Sequence, residues 1–140
     1  MGLEDYFKRQ IDQLGKVLGR LLTGLLGLKS EGKFNEGEEL ARQTITAKTG
    51  VDFNELISFP AETLPSVLKD RFNWTNDNMG ILADIFYELA DSAEETDKDG
   101  ARSYFEKALV IYEHLHQFDT TYSVGRKIKI DEIKSILTQN

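Results

Sequence analysis

Apolar side chains recur at Phe7, Ile11, Leu14, Leu18, Leu21, Leu25 and Leu28, in alternating steps of four and three residues. That spacing keeps one face of an α-helix apolar for about six turns, and it predicts a single long first helix. The positions flanking the stripe, where a two-stranded coiled coil carries charges, hold Gly15, Val17, Leu22 and Gly24. The apolar face is therefore too wide for one partner helix, and two neighbours are expected.

Ser30, Glu31 and Gly32 break the pattern, and Phe34, Leu40, Ala41, Thr44 and Ile45 resume it as far as Lys48. Gly50 is a natural stop, so the second helix returns antiparallel to the first. From Val51 to Trp74 the order loosens, because Pro60 and Pro65 each lack an N–H and restrict the residue before them. Two short helices are expected there, one after Asp52 and one ending near Phe72. Met79, Leu82, Ala83, Phe86, Leu89, Ala90 and Ala93 form a clean stripe, as do Ala101, Tyr104, Phe105, Ala108, Tyr112 and Leu115 after a polar break. Between Tyr122 and Ile130 the alternation is strand-like, yet Ile133, Ile136 and Leu137 have helical spacing. A lone strand would have nothing to pair with, so a final helix from about Thr120 is expected. The pattern as a whole predicts one all-α domain over residues 1–140, built of about six helices in antiparallel pairs.

Composition narrows the class. With 140 residues the chain can bury one real core, and 40% apolar with 29% charged residues is ordinary globular usage. There is no cysteine, which excludes disulfides and thiolate metal sites and fits a cytoplasmic setting. A net charge of −7 without a basic stripe argues against nucleic acid. Lys8 and Arg9 ahead of an apolar stretch imitate a signal or anchor, but Glu4 and Asp5 spoil the basic region and Lys16 and Arg20 interrupt the stretch. No membrane span is expected, and Tyr6 stands where a myristoylation signal wants Ser or Thr.

Two places resemble the tetratricopeptide repeat, a helix-turn-helix unit with small residues where its helices cross. Ala101, Phe105 and Ala108 reproduce the spacing of the repeat's second helix, Leu82 to Ala90 takes the place of its first, and Tyr104 to Glu113 (YFEKALVIYE) reads like the second directly. A fainter echo is Gly32-Lys33-Phe34-Asn35-Glu36-Gly37, with Ala41 where an aromatic is usual. The order of a Leu-rich first helix ending in GLKSEGKF and a later YFEKAL pair is also similar to a family of uncharacterised bacterial domains. The resemblance implies stacked helix pairs presenting a concave face to a peptide or protein, and no activity.

Chemical candidates are few. Gly27 to Lys33 has the spacing of a phosphate-binding loop, but Phe34 supplies no hydroxyl for Mg²⁺ and a helix precedes the loop where a strand is needed. Glu95, Asp97, Asp99 and Glu106, with Gly100 among them, approach the spacing of an EF-hand Ca²⁺ loop, although Glu replaces the first Asp and Arg102 the usual aliphatic residue. His114 and His116, two apart on a helix, point away from each other and cannot share a metal. Gly15 and Gly19, followed by Gly24 and Gly27, allow another backbone close to the first helix, more readily inside the domain than between subunits. Trp74, Ile85 and Tyr87 fall off the main stripes and are candidates for a partner surface. No catalytic constellation and no cofactor site is expected. The expected function is a protein-interaction module or scaffold for a protein or peptide, with no catalysis. The alternatives are a homo-oligomer joined through the first helix and a Ca²⁺-binding helix-loop-helix protein.

Overall fold

A computed structural model describes residues 2–118 and 123–139. Among them the chain forms α1 (Leu3–Ser30), α2 (Phe34–Thr49), α3 (Phe53–Ser58), α4 (Leu64–Ser66), α5 (Asn76–Ala93), α6 (Lys98–Phe118) and α7 (Val124–Thr138), and no strand. The all-α expectation holds, and the extra element arises because the proline-containing middle breaks into short pieces. There α3 is followed by a 3-10 turn at Ala61–Thr63, and α4 runs on into a π-helical turn at Val67–Arg71. The expected start near Thr120 lies outside the described residues; α7 is seen from Val124, capped by the Ser123 hydroxyl, which accepts from the Arg126 N–H at 3.1 Å.

Local chemistry sets the turns. At the end of α1 the Lys33 N–H donates to the Leu28 carbonyl at 2.9 Å and the Gly32 N–H to that of Lys29 at 3.0 Å. This is the Schellman arrangement, and it needs the left-handed φ of +73° that Gly32 adopts without steric cost. Asp52 and Thr75 cap α3 and α5 through the N–H groups of Asn54 and Asn78.

Tertiary contacts fix the order. Gly24 faces Leu40 and Gly37 faces Leu25, so α2 runs back along α1. Gly80 faces Leu115 near the start of α5 and Phe86 stacks on Tyr104 at 5.9 Å further along it, so α6 runs back along α5. Asn78 reaches Ile11 at one end of α1, while Lys29 reaches Glu88 and Asp91 at the other; α1 and α5 are thus parallel. Lys129 meets Asp84 and Glu132 meets Tyr87, so α7 is parallel to α5 as well, packed chiefly on α6. The middle segment bridges α2 to α6. The core lies among α1, α2, α5, α6 and the middle segment, with Leu18, Ile45, Phe53, Leu64, Phe86, Phe105 and Ile111 excluded from solvent. Each such aliphatic or phenyl side chain contributes about 1.5–3 kcal/mol by leaving water. As expected, α1 packs on two neighbours, α2 and α5.

Candidate functional site

Because α5 and α7 lie parallel with α6 behind them, a polar cleft of about 440 Å³ opens between them. The inward stripe of α5 is spent on the core, so the residues rotated off it, Asn76, Gly80 and Asp84, line the cleft floor, with the exposed Asp77 at its rim. Tyr112 reaches the same place from α6 although it is only 2% exposed, and its hydroxyl donates to Asp84. The Lys129 ammonium donates to the same carboxylate oxygen at 3.2 Å and sits 5.1 Å over the Tyr87 ring. The Tyr87 hydroxyl donates to Glu132 at 2.7 Å. Burial first, and then the Asp84 charge, push the Tyr112 phenol far above its ordinary value; burial and Glu132 do the same to Tyr87. Both phenols are therefore donors and not bases. Asp84 is held by an ammonium and a phenol, and the Ser123 hydroxyl of the same lining accepts from the Arg126 N–H as the cap of α7. What the cleft offers is directional hydrogen bonding, including a buried Asn76 Oδ1 that has no partner among the described residues.

None of this cluster stands out in the sequence as chemistry. The available signal is that the second stripe carries Tyr where Phe would suffice at 112, since a buried phenol needs a partner for its hydroxyl. The identity of that partner depends on bringing α5 beside α6.

A second concavity of about 630 Å³ lies at the end of the bundle, beneath the first turns of α1. Phe7, Ile11 and Leu14 form its roof, and Lys48, Phe72 and Trp74 are among its walls. Just beyond the π-helical turn stands Asn73, whose φ of +60° suits its short amide side chain and lets the chain turn so that the Trp74 N–H reaches the Leu68 carbonyl at 2.9 Å.

The other sequence candidates resolve as structure. Asp97 caps α6, accepting from the Gly100 N–H at 3.0 Å, and Glu106 pairs with Arg102 at 3.4 Å one turn away. Glu95 stands exposed in the preceding turn and Asp99 in the first turn of the helix. With residues 98–106 helical, the carboxylates of Asp97 and Glu106 are separated by roughly 13 Å of helix rise, so these four residues do not fit a Ca²⁺ ion. Among the described residues no three acidic or histidine side chains gather as a metal site. Gly27 to Lys33 forms the Schellman turn described above. His114 packs on Phe118 at 4.9 Å and is partly buried, whereas His116 is exposed.

Of the α1 glycines, a Cβ at Gly15 would come within 3.0 Å of Asn78 and one at Gly24 within 3.2 Å of Leu40, while Gly19 and Gly27 meet nothing within 4 Å. Close packing inside the domain thus accounts for two of the four. The expectation of an outward surface at Trp74, Ile85 and Tyr87 is corrected: Trp74 is 6% exposed, Ile85 is fully buried and Tyr87 is half-buried. Helix α5 is enclosed by α1, α2 and α6, so more than one stripe of it faces inward.

Among the described residues no helix is long and apolar enough to cross a membrane. The chain matches no family model, no curated protein and no solved structure.

Proposed function

We propose that the chain is a protein-interaction module that holds a polypeptide segment in the cleft between α5 and α7 and carries out no reaction there. The observation behind this reading is the Asn76 carbonyl, without a partner among the described residues, in a lining where the charges of Asp84 and Lys129 are already tied to each other. An unpaired buried acceptor costs about 1–3 kcal/mol, and a rotation of the Asn76 side chain that brings its oxygen to a ligand N–H recovers that cost. A polypeptide backbone supplies such donors at regular intervals, and Arg126 and Asp77 at the rim suit its carbonyls, amides or termini. The parallel α1, α5 and α7 with α2 and α6 returning between them are in keeping with the tetratricopeptide resemblance, in which stacked pairs build one continuous surface.

Gly125 lines the cleft and has open space around it, so Gly125→Trp closes the site without disturbing the core. Panning a library of displayed linear peptides on the intact protein is expected to enrich sequences that bind the parent and fail to bind Gly125→Trp. No enrichment, or peptides that bind both chains equally, would refute the reading.

A further inference from the structure

Residues 3–13 of α1 form nearly three turns in which no side chain is buried. Four of the eight large apolar side chains exposed among the described residues sit on this stretch: Leu3 at 72%, Tyr6 at 55%, Phe7 at 53% and Ile11 at 37%. A solvated helix has no use for such a face, and the hydrophobic effect favours covering it. Beneath it lies the 630 Å³ concavity, in which Phe72 and Trp74 stand among polar walls that include Lys48, Thr49 and Asn73, so each molecule carries an apolar ridge and, alongside it, a groove with an aromatic patch.

We infer that this end of the molecule is covered by the same end of a second copy, the two α1 helices lying antiparallel about a twofold axis. The stripe supports that occupant in three ways. Its positions, Leu3, Phe7, Ile11 and Leu14, are separated by four, four and three residues and read nearly the same backwards. In an antiparallel pair Leu3 meets Leu14 of the second copy while Phe7 meets its Ile11, an isologous contact.

Area gives the second reason. The exposed ridge amounts to on the order of 400 Å², about half of the roughly 800 Å² per partner that a stable interface buries. A lone helix from another protein would cover that ridge once. A second copy sets its own ridge against the first and beside the walls of Phe72 and Trp74, so each chain buries those walls in addition to its ridge and comes nearer to that area.

Charge is the third. The chain carries −7, which opposes self-association, yet residues 3–16 hold Glu4, Asp5 and Asp12 against Lys8, Arg9 and Lys16, a balance of zero. Two copies can therefore meet at this end without setting their net charges against each other at close range.

Trp74 walls the groove and is the chain's single tryptophan, so its emission reports occupancy directly. Sedimentation equilibrium and Trp74 fluorescence across a concentration series test the inference, with the parent and with a Phe7→Asp, Ile11→Asp double variant. The parent is expected at twice its 15.9 kDa at micromolar protein, with a change in Trp74 emission that follows the mass. The double variant is expected at single mass with an unaltered far-ultraviolet circular dichroism spectrum, since both positions are exposed. A parent that stays at 15.9 kDa over the whole series overturns the inference, and so does a dimer that survives both substitutions. Gly125→Trp is expected to dimerise like the parent, which separates failure of the cleft from failure of this contact.

Discussion

Asn78 is buried to 4% exposure and donates its amide to the Ile11 carbonyl at 3.2 Å, joining the start of α5 to the flank of α1. That approach is open only because residue 15 has no side chain: a Cβ there would stand 3.0 Å from the Asn78 oxygen. Helix propensity alone favours Ala over Gly by about 1 kcal/mol, so Gly15 and its neighbour Gly19 should respond in opposite ways. Gly19→Ala, with nothing within 4 Å, is expected to raise stability by up to about 1 kcal/mol, and Gly15→Ala to lower it by displacing Asn78. Urea unfolding of the two variants decides, and equal gains would show that the contact is slack. His114 belongs to the same scale. Burial, with the Lys69 ammonium adding to it, holds its imidazole below the ordinary 6.5. The unfolded chain therefore takes up the proton first, so this contribution to stability is full above about pH 6.5 and is lost as pH falls below it. Melting temperatures between about pH 8 and pH 5 should drop less for His114→Gln than for the parent. Parallel curves would remove the histidine from the account.

At the scale of elements, legibility followed burial. Helices α1, α5 and α6 were readable because their inward faces are long apolar stripes, and α2 because Gly50 stops it in the left-handed conformation. Helix α7 was harder. Only Ile130 and Ile133 of it are buried, and Val124 and Ile128 are exposed, so its sequence hovers between periods. Its attachment depends as much on the Lys129 to Asp84 and Glu132 to Tyr87 contacts, which no periodicity reveals, as on apolar area. A thinly buried helix opens before the core does. Amide hydrogen exchange is accordingly expected to be faster throughout α7 than in the centres of α5 and α6, and Ile133→Ala to cost about 2–5 kcal/mol and widen the gap. Equal protection across the three helices would mean that α7 is part of the central unit.

For the molecule as a whole, the all-α class, the approximate number of helices and their antiparallel pairing followed from the sequence, whereas what lies between the pairs did not. The cleft needs residues from α5, α6 and α7 at once, and the groove needs the roof of α1 over Phe72 and Trp74. Reading one stripe per helix also placed Ile85 and Trp74 outside, because such a reading assumes that each helix has a single inward face. The cleft exists only if α7 runs in the direction of α5, and the groove, which Asn78 helps to wall, only if α1 does. The ion pairs between them supply the means of checking, since a carbodiimide joins an ammonium to a carboxylate in contact without a spacer. Mass spectrometry of the cross-linked single-mass species is expected to find Lys29 joined to Glu88 or Asp91, and Lys129 joined to Asp84, within one chain. Links from Lys29 to the start of α5, or from Lys129 to α1, would contradict the parallel order and both surfaces with it.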